Sequence, residues 1–263
     1  MTQIRLKTPI SYYGGKQQLS QIILNLLPAH ELYCEPFCGG AAIFFAKEPA
    51  LVEIINDTNR EIINFFKMAQ TDFTSLEKLV RITMHSRSQH HDAHVIYNNP
   101  HMFSEIKRAW AVWVLANQSV NSIIDNSWGY ERKTNKITQK TTNKKIQFTE
   151  DIAIRLQNVQ IECADAIYII KSRDCENAFF YCDPPYINTC QGHYDGYTED
   201  DYRKLLDTLS TIKGKFLLSS FPSDILTEYI KKHGWISEEI VMRCTASKSR
   251  KKKTEVLTRN YEI

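Results

Sequence analysis

The spacing of apolar residues predicts alternating helices and strands at the start of the chain. Helical spacing runs over 18–27, 41–47 and 60–68. Short apolar runs that break into turn residues, ELYCEPFCGG and 51–55, predict two strands. Because strands alternate with helices, this part of the chain predicts an α/β fold with a doubly wound, mostly parallel sheet.

The α/β pattern stops near residue 71 and resumes near residue 152. Residues 75–120 have mainly helical spacing, and 131–147 is polar and basic with almost no apolar period. The second stretch predicts a loop or a weakly paired hairpin. We therefore expect one α/β domain made of 1–70 and 151–263, interrupted by an inserted, mainly helical domain over 71–150.

The final third of the chain continues the α/β pattern. AFFYC, at 178–182, is a strongly apolar strand that leads directly into Asp183-Pro184-Pro185-Tyr186. Further strands are predicted over 159–163, 215–220, 236–243 and 255–261, and helices over 200–212 and 224–233.

Composition places the chain among globular proteins. Its 263 residues suit one domain with an insertion, and it is 43% hydrophobic and 24% charged. No apolar run approaches the roughly 20 residues of a membrane span, and the N-terminus lacks the apolar region of a secretory signal. Seven cysteines without a CxxC pair indicate free thiols in a reducing compartment. We expect a cytoplasmic protein without a membrane partner.

Positive charge is concentrated in the middle of the chain. Residues 81–148 hold ten Lys or Arg against four acids, a net charge of +6, while the whole chain is at +3. A basic segment within an otherwise mildly acidic chain is typical of a surface that faces phosphates, although a charged surface exposed only to solvent has the same composition.

The tetrad at 183–186 carries the most specific chemistry. In doubly wound sheets, ligands bind beyond the carboxyl ends of the strands, where this tetrad falls. The exocyclic amino group of a purine is a poor nucleophile, because its lone pair is delocalised into the ring. The carboxylate of Asp183 and the carbonyl of Pro184 can accept its two hydrogens, and the two prolines keep the backbone rigid. Tyr186 offers a flat face for an extruded base. The alternative is a strand end followed by an ordinary Pro-Pro turn.

Several motifs in this order resemble the Dam-type, D12-class adenine-specific DNA methyltransferases. They are SYYGGK, EPFCGG, INDTN, YCDPPY and the closing RKKKTEVLTRNYEI, and they cover most of the chain outside 71–150. The resemblance implies the S-adenosylmethionine-dependent methyltransferase fold, with 71–150 as a DNA target-recognition domain. It also implies transfer of a methyl group from S-adenosylmethionine to N6 of a flipped adenine in double-stranded DNA, by a bacterial or phage-encoded enzyme that we expect to be monomeric.

The resemblance also implies a set of cofactor contacts. Lys16 is expected to face the cofactor's carboxylate, the turn at 35–40 to approach it closely, and Asp165 to bind its adenine amino group. Asp57 lies at an offset common for ribose-binding acids; it could instead be a helix N-cap, and Asp165 an ordinary turn residue. The expected cofactor-binding residues are Tyr12, Gly14, Gly15, Lys16, Glu35, Phe37, Gly39, Gly40, Asp57, Asp165 and Asp183.

Two basic stretches are candidates for DNA contacts. One interleaves Lys with Thr, Asn and Gln, which reach phosphates and base edges, and the other precedes the last strand. Either could be a solvated surface. The expected DNA-binding residues are Lys133, Lys136, Lys140, Lys144, Lys145, Arg250, Lys251 and Lys252.

No metal site is expected, although His90 and His94 are spaced i, i+4, because no cysteine or carboxylate cluster accompanies the histidines. Cys182 is expected to be a buried strand residue.

Three alternatives to DNA adenine methylation stay open: methylation of an RNA adenine, methylation of cytosine N4, and an inert DNA-binding module. The target sequence also stays open, since Asn117-Gln118-Ser119 and Trp128-Gly129-Tyr130 differ from the recognition loop expected of a GATC enzyme.

Overall fold

The structure, a computed structural model, describes residues 6–187, 197–243 and 252–263. Its strands form a single sheet in the order β3-β2-β1-β4-β5-β7-β6. β1 is parallel to β2 and β4, β4 is parallel to β5, and β7 runs antiparallel to both β5 and β6. The strands are β1 (Leu32–Glu35), β2 (Val52–Asn56), β3 (Val159–Glu162), β4 (Ala178–Cys182), β5 (Lys215–Ser220), β6 (Ile236–Arg243) and β7 (Lys252–Arg259).

The predicted α/β fold with a mostly parallel sheet is confirmed. The helices are α1 (Ser20–Asn25), α2 (Ala42–Ala46), α3 (Arg60–Thr71), α4 (Phe73–Ile82), α5 (Arg87–Asn98), α6 (Glu105–Gln118), α7 (Lys136–Ile146), α8 (Glu150–Leu156), α9 (Ala166–Arg173), α10 (Glu199–Leu209) and α11 (Asp224–His233). Within the described ranges, none of these helices is long and apolar enough to cross a membrane.

The chain divides into two compact units. The helical unit comprises Met1–Leu24, Cys38–Pro49 and Asp57–Cys163, and the sheet unit comprises Asn25–Phe37, Ala50–Asn56 and Ala164–Ile263. This grouping differs from the predicted boundaries at 70/71 and 150/151, because α3 packs against α6 and α4 of the middle segment and α8 packs against α3. A target-recognition role for 71–150 stays a prediction.

The helical unit is built around α6, whose C-terminal half, residues 111–118, is buried. Helix α3 begins at Asn59, whose side chain accepts bonds from the backbone of Glu61 and Ile62, a standard N-cap. Glu61 then forms a bidentate ion pair with Arg108 on α6, with the shorter N–O distance at 2.6 Å. This half-buried pair joins α3 to α6 and fixes the start of the segment that follows β2.

The sheet unit buries both faces of its central strands. All five residues of β4 are buried, as expected for a parallel strand covered on both sides. Helix α10 starts with a capping box between Thr198 and Asp201, and α11 ends at Gly234, whose φ of 66° closes the helix in the left-handed region. These caps fix the helices that flank β5.

The predicted loop over 131–147 is wrong, because Lys136–Ile146 forms helix α7. Its inward-facing positions 141 and 144 hold a buried threonine and a buried lysine. Polar residues on the inward face leave no apolar period in the sequence, which is the signal on which the prediction depended.

Candidate active site

The tetrad Asp183-Pro184-Pro185-Tyr186 follows the last residue of β4, at the carboxyl end of a strand that lies between β1 and β5. A cavity of about 240 Å³ lies beside the tetrad. It is lined mainly by rings and small polar residues from the loop after β4, from the end of β5 and the loop that follows it, and from α10: Pro184, Pro185, Tyr186, Ile187, Tyr202, Ser220, Phe221, Pro222 and Ser223. The sequence thus places a rigid turn against a partly open, mainly apolar cavity within the sheet unit.

Both the ring and the hydroxyl of Tyr186 make contacts that fix the side chain. Its ring lies 4.3 Å from that of Phe221, centroid to centroid, at 57°. Its hydroxyl donates to Glu255 Oε1 and lies 3.2 Å from Asp183 Oδ1 and 3.4 Å from Ser219 Oγ. Burial, with Asp183 and Glu255 nearby, raises the pKa of Tyr186 well above its ordinary value. The tyrosine is therefore a neutral hydroxyl at physiological pH.

Cys182 is a buried strand residue, as expected. Burial and the neighbouring Asp183 raise the pKa of its thiol far above the ordinary value. The thiolate is the nucleophilic form of cysteine, so this residue is not a nucleophile.

The glycine-rich turn after β1 lies against Tyr12 in the helical unit. A Cβ on Gly40 would come within 3.1 Å of Tyr12 Cβ and 3.2 Å of the Ile10 carbonyl oxygen, and the space beside Gly39 is also filled by the tyrosine ring. These two glycines therefore make room for a side chain of the protein itself, a reason the sequence did not reveal.

Asp57 is buried and holds the same turn. Its Oδ2 accepts a bond of 2.9 Å from the backbone nitrogen of Gly39, and its Oδ1 accepts one of 2.9 Å from Asn59. Burial raises the pKa of Asp57, and these backbone bonds lower it, with the net effect upward. The N-cap of α3 is Asn59, so the alternative reading of Asp57 as that cap is wrong.

Lys16 is also buried, and its Nζ donates to the Gly14 carbonyl oxygen at 2.9 Å. Gly14 has φ of 75°, and Gly15 donates its backbone N–H to Tyr12 at 3.0 Å. The SYYGGK motif is thus a tight turn that buries the ammonium group of Lys16. Most lysines instead lie on the surface, exposed to solvent.

The remaining expected cofactor residues of the sheet unit occupy different environments. Glu35 is buried at the end of β1 and accepts a bond of 2.7 Å from the Tyr33 hydroxyl. Phe37 is half-buried, edge-on to Tyr197 at 6.5 Å. Asp165 is exposed and is the N-cap of α9, accepting from the Tyr168 backbone at 3.0 Å.

Asn56 is a residue that the sequence reasoning missed. It is fully buried at the end of β2, and its amide nitrogen donates to the carbonyl oxygens of Pro36 and Ala164 at 2.8 and 3.0 Å. Its Oδ1 accepts from the backbone of Ala164 at 2.9 Å. Asn56 therefore ties the loop after β1 to the loop after β3, on which Phe37 and Asp165 lie. The asparagine in INDTN was the available signal.

Comparison with known proteins identifies this arrangement. The family model of the D12 class N6 adenine-specific DNA methyltransferases matches residues 12–243, which is most of the chain. The chain belongs to this family. The resemblance seen in the sequence motifs is therefore confirmed.

Individual relatives agree with the family. The chain is similar to the type II methyltransferase M1.LlaDCHI of Lactococcus lactis subsp. cremoris, with 27% identity over 98% of this chain and 97% of that protein. It is 26% identical to the DNA N-6-adenine-methyltransferase of Escherichia phage P1 over 66% of this chain and 23% of that protein. It is 25% identical to the type II methyltransferase M.FokI of Planomicrobium okeanokoites over 88% of this chain and 39% of that protein.

Membership of the D12 class makes the chain an adenine-specific DNA methyltransferase. The activity is N6-adenine methylation of DNA. Methylation of cytosine N4 or of RNA, and the inert module, are not supported by the family or by the names of its relatives.

The D12 methyltransferase presents only some of the expected DNA-binding lysines on its surface. Lys133, Lys136 and Lys140 are exposed. Lys145 is half-buried, with Nζ donating to the Thr83 carbonyl oxygen at 2.7 Å. Arg250 and Lys251 lie outside the described residues, and only the backbone of Lys252 is described.

Lys144 requires a correction. Its side chain is buried, and its Nζ donates to the backbone carbonyl of Thr8. Burial, with Lys140 and Lys7 nearby, lowers its pKa to about 8. A buried ammonium that bonds the protein's own backbone is not placed to contact a phosphate, so Lys144 has a structural role in the helical unit.

Two histidines of α5, His90 and His94, form hydrogen bonds within the protein. His90 Nε2 lies 2.8 Å from Ser119 Oγ, and the His90 and His94 rings meet edge to face at 4.7 Å. Among the described residues, no group of three or more His, Cys, Asp or Glu side chains could hold a metal ion.

Proposed function

We propose that this D12 methyltransferase transfers a methyl group from S-adenosylmethionine to N6 of an adenine that has been turned out of duplex DNA at a specific site. We assign the reaction to Asp183, Pro184, Pro185 and Tyr186. The observation that supports this most strongly is the position of the tetrad, at the carboxyl end of a central parallel strand and beside a cavity.

Asp183 and the Pro184 carbonyl are the acceptors for the adenine amino group in this proposal. When both N–H bonds are directed at fixed acceptors, the nitrogen lone pair is freed from the ring and becomes nucleophilic. The acceptors must be in place before reaction, since reorganising them would raise the barrier. The two prolines restrict the backbone, and Asp183 lies on the turn that Tyr186 anchors through its hydroxyl.

The cavity beside the tetrad is the proposed pocket for the flipped base. Its walls include the rings of Tyr186, Tyr202 and Phe221 and three prolines, which suit the flat faces of a purine. Enzymes that modify a base take it out of the helical stack, because its exocyclic groups are otherwise paired within the duplex.

The charged groups of the expected cofactor residues fit S-adenosylmethionine, which carries a carboxylate, an ammonium, ribose hydroxyls and an adenine amino group. Lys16 supplies a cation for the carboxylate, and Asp57 and Asp165 supply acceptors for hydroxyl and amino hydrogens. Bound S-adenosylmethionine supplies an electrophilic methyl group on a sulfonium. The further proposed contacts are Tyr12, Gly14, Gly15, Glu35, Phe37, Gly39, Gly40 and Asp183.

Duplex DNA is the proposed partner of the basic surface at the start of α7. Lys133, Lys136 and Lys140 are exposed and long enough to reach phosphates without sequence preference. We assign target recognition to the wider segment 71–150. A monomeric enzyme in the cytoplasm of a bacterium, encoded by the host or by a phage, is the setting that these assignments suit.

Methyl transfer by Asp183 variants tests the proposal. Wild-type, Asp183→Asn and Asp183→Ala proteins are incubated with labelled S-adenosylmethionine and bacterial genomic DNA that lacks methylated adenine, and the nucleosides are identified by mass spectrometry. We expect N6-methyladenine from the wild type and a loss of about 100-fold or more in both variants. The exposed Asp200→Asn is the matched control. Turnover at the wild-type rate in either Asp183 variant would contradict the assignment.

A further inference from the structure

Glu255 is a buried acid next to the catalytic tetrad that the sequence analysis did not single out. It lies on β7, and its exposed fraction is zero. Its Oε1 accepts hydrogen bonds from two hydroxyls, that of Tyr186 and that of Ser219 on β5, the latter at 2.7 Å. Carboxyl groups are rarely buried unless they are paired, so this arrangement has a cost that the sheet must offset.

The Tyr186 hydroxyl lies near more than one acceptor, and the acceptor that receives its hydrogen determines how the tyrosine affects Asp183. A phenol hydroxyl has one hydrogen to donate. Two carboxyl oxygens lie near it, Glu255 Oε1 and Asp183 Oδ1, and the distance to Asp183 is 3.2 Å. That distance exceeds the range of about 2.5 to 3.0 Å for a good O–H···O bond. The hydrogen therefore goes to Glu255, and the tyrosine presents mainly its oxygen to Asp183.

We propose that Glu255 is a positioning residue for methyl transfer, acting through Tyr186. By accepting the tyrosine hydrogen, it fixes the ring beside the cavity and keeps that hydrogen from engaging the carboxylate of Asp183. Asp183 then loses no acceptor strength for the adenine amino group to the tyrosine hydrogen. This inference rests on the role proposed above for Asp183.

Glutamine at position 255 is the informative substitution. It keeps the size and one acceptor oxygen, but its NH₂ group can donate to the tyrosine oxygen. When it does so, the tyrosine hydrogen is free to turn toward Asp183, and the acceptor strength of Asp183 falls. We expect Glu255→Gln to lower kcat by about 10-fold or more, with the dissociation constant for S-adenosylmethionine within about twofold of the wild type.

A double-mutant cycle separates this role from simple structural support. Tyr186→Phe keeps the ring and removes the hydrogen that Glu255 accepts. If Glu255 acts through that hydrogen, Glu255→Gln has little further effect on kcat in the Tyr186→Phe background, about twofold or less. A residue that only stabilises the sheet would lower kcat by the same factor in both backgrounds. Glu53→Gln, another buried strand glutamate of the sheet unit, is the matched control and should leave kcat unchanged.

The outcomes are distinct. A wild-type kcat in Glu255→Gln, or the full loss repeated in the Tyr186→Phe background, would overturn the positioning role while a dead Asp183→Asn still supports the proposed function. An active Asp183→Asn variant would overturn both the proposed function of Asp183 and the positioning role of Glu255, which rests on it. If Glu255→Gln does not fold, Tyr186→Phe decides whether the anchoring of the ring matters. This variant has no hydrogen that could engage Asp183, but its ring has lost the bond to Glu255, so we expect a reduced kcat with unchanged S-adenosylmethionine affinity. A wild-type kcat would overturn the positioning role.

Discussion

The ring of Tyr12 occupies the space that a side chain at residue 39 would need. A Cβ on Gly39 would lie 2.9 Å from Tyr12 Cδ1, closer than real Cβ contacts. Gly39 also has φ of 46°, in the left-handed region where a Cβ is strained. The glycine-rich turn is therefore shaped from within the helical unit, in addition to any contact with a cofactor.

Gly39→Ala should destabilise the protein by more than the backbone strain at a positive φ, because the new Cβ would also meet the ring of Tyr12. Gly14→Ala is the matched control, because Gly14 has φ of 75° but open space where its Cβ would lie. We expect Gly14→Ala to lower the free energy of unfolding by about 1 to 2 kcal/mol, and Gly39→Ala by clearly more. Urea unfolding without cofactor measures both. Equal losses would show that Tyr12 does not restrict residue 39.

Lys144 should make stability depend on pH in a defined window. Its pKa is about 8 in the folded protein, below the ordinary 10.5. Between these values the unfolded chain binds one more proton, so the free energy of unfolding contributed by Lys144 rises with pH, by about 3 kcal/mol in all. Below pH 8 the charged, buried ammonium costs stability.

The comparison of wild type with Lys144→Met isolates that dependence. Tyrosines and cysteines that titrate at high pH are common to both proteins, so the difference between the two stability curves should rise from pH 8 to 10.5. Lys136→Met, at the exposed start of the same helix, is the control. A difference that is flat across this window would contradict the buried position of Lys144.

Much of the fold followed from apolar patterns. The strands β2, β4 and β5 are short apolar runs, and their positions were predicted to within a residue or two, because buried parallel strands must be apolar on both faces. Helix α7 was missed because its inward positions hold Thr141 and Lys144 in place of apolar residues. A buried polar residue whose hydrogen-bond partner lies far away in the sequence adds nothing to the apolar periodicity from which a helix is predicted.

The same reason limits prediction of the candidate site. The tetrad at 183–186 is contiguous, so its chemistry could be read from the sequence. Glu255 accepts from Tyr186, 69 residues earlier in the chain, and Asn56 donates to Ala164, 108 residues later. Such pairs form only when the sheet brings distant strands together, and nothing local marks them.

The exposed lysines at the start of α7 should determine how DNA binding depends on salt. We expect the combined change of Lys133, Lys136 and Lys140 to Gln to weaken binding and to reduce the slope of log K against log salt by up to about 3, since each lost phosphate contact removes about 0.9. Lys213, Lys231 and Lys232, exposed in the sheet unit, give a control with the same change in charge. An unchanged slope would place these three lysines outside the interface.

Phe221 should matter for the proposed base pocket. Its ring packs on Tyr186 and lines the cavity, so Phe221→Ala removes a flat wall. We expect kcat/KM for DNA to fall by about 5- to 100-fold, the range for loss of one stacking contact, while S-adenosylmethionine binding measured by calorimetry is unchanged. A wild-type kcat/KM for DNA would show that the flipped base does not use this cavity.

The most direct test of Asp183 as the catalytic acceptor is modification-sensitive sequencing of DNA from cells that express either the wild type or Asp183→Ala. Both proteins are first shown to be present at equal levels and to bind S-adenosylmethionine. We expect N6-methyladenine at one short sequence motif in the wild-type cells only, which also gives the target sequence. Methylated adenine at the same motif in the Asp183→Ala cells would contradict the mechanism.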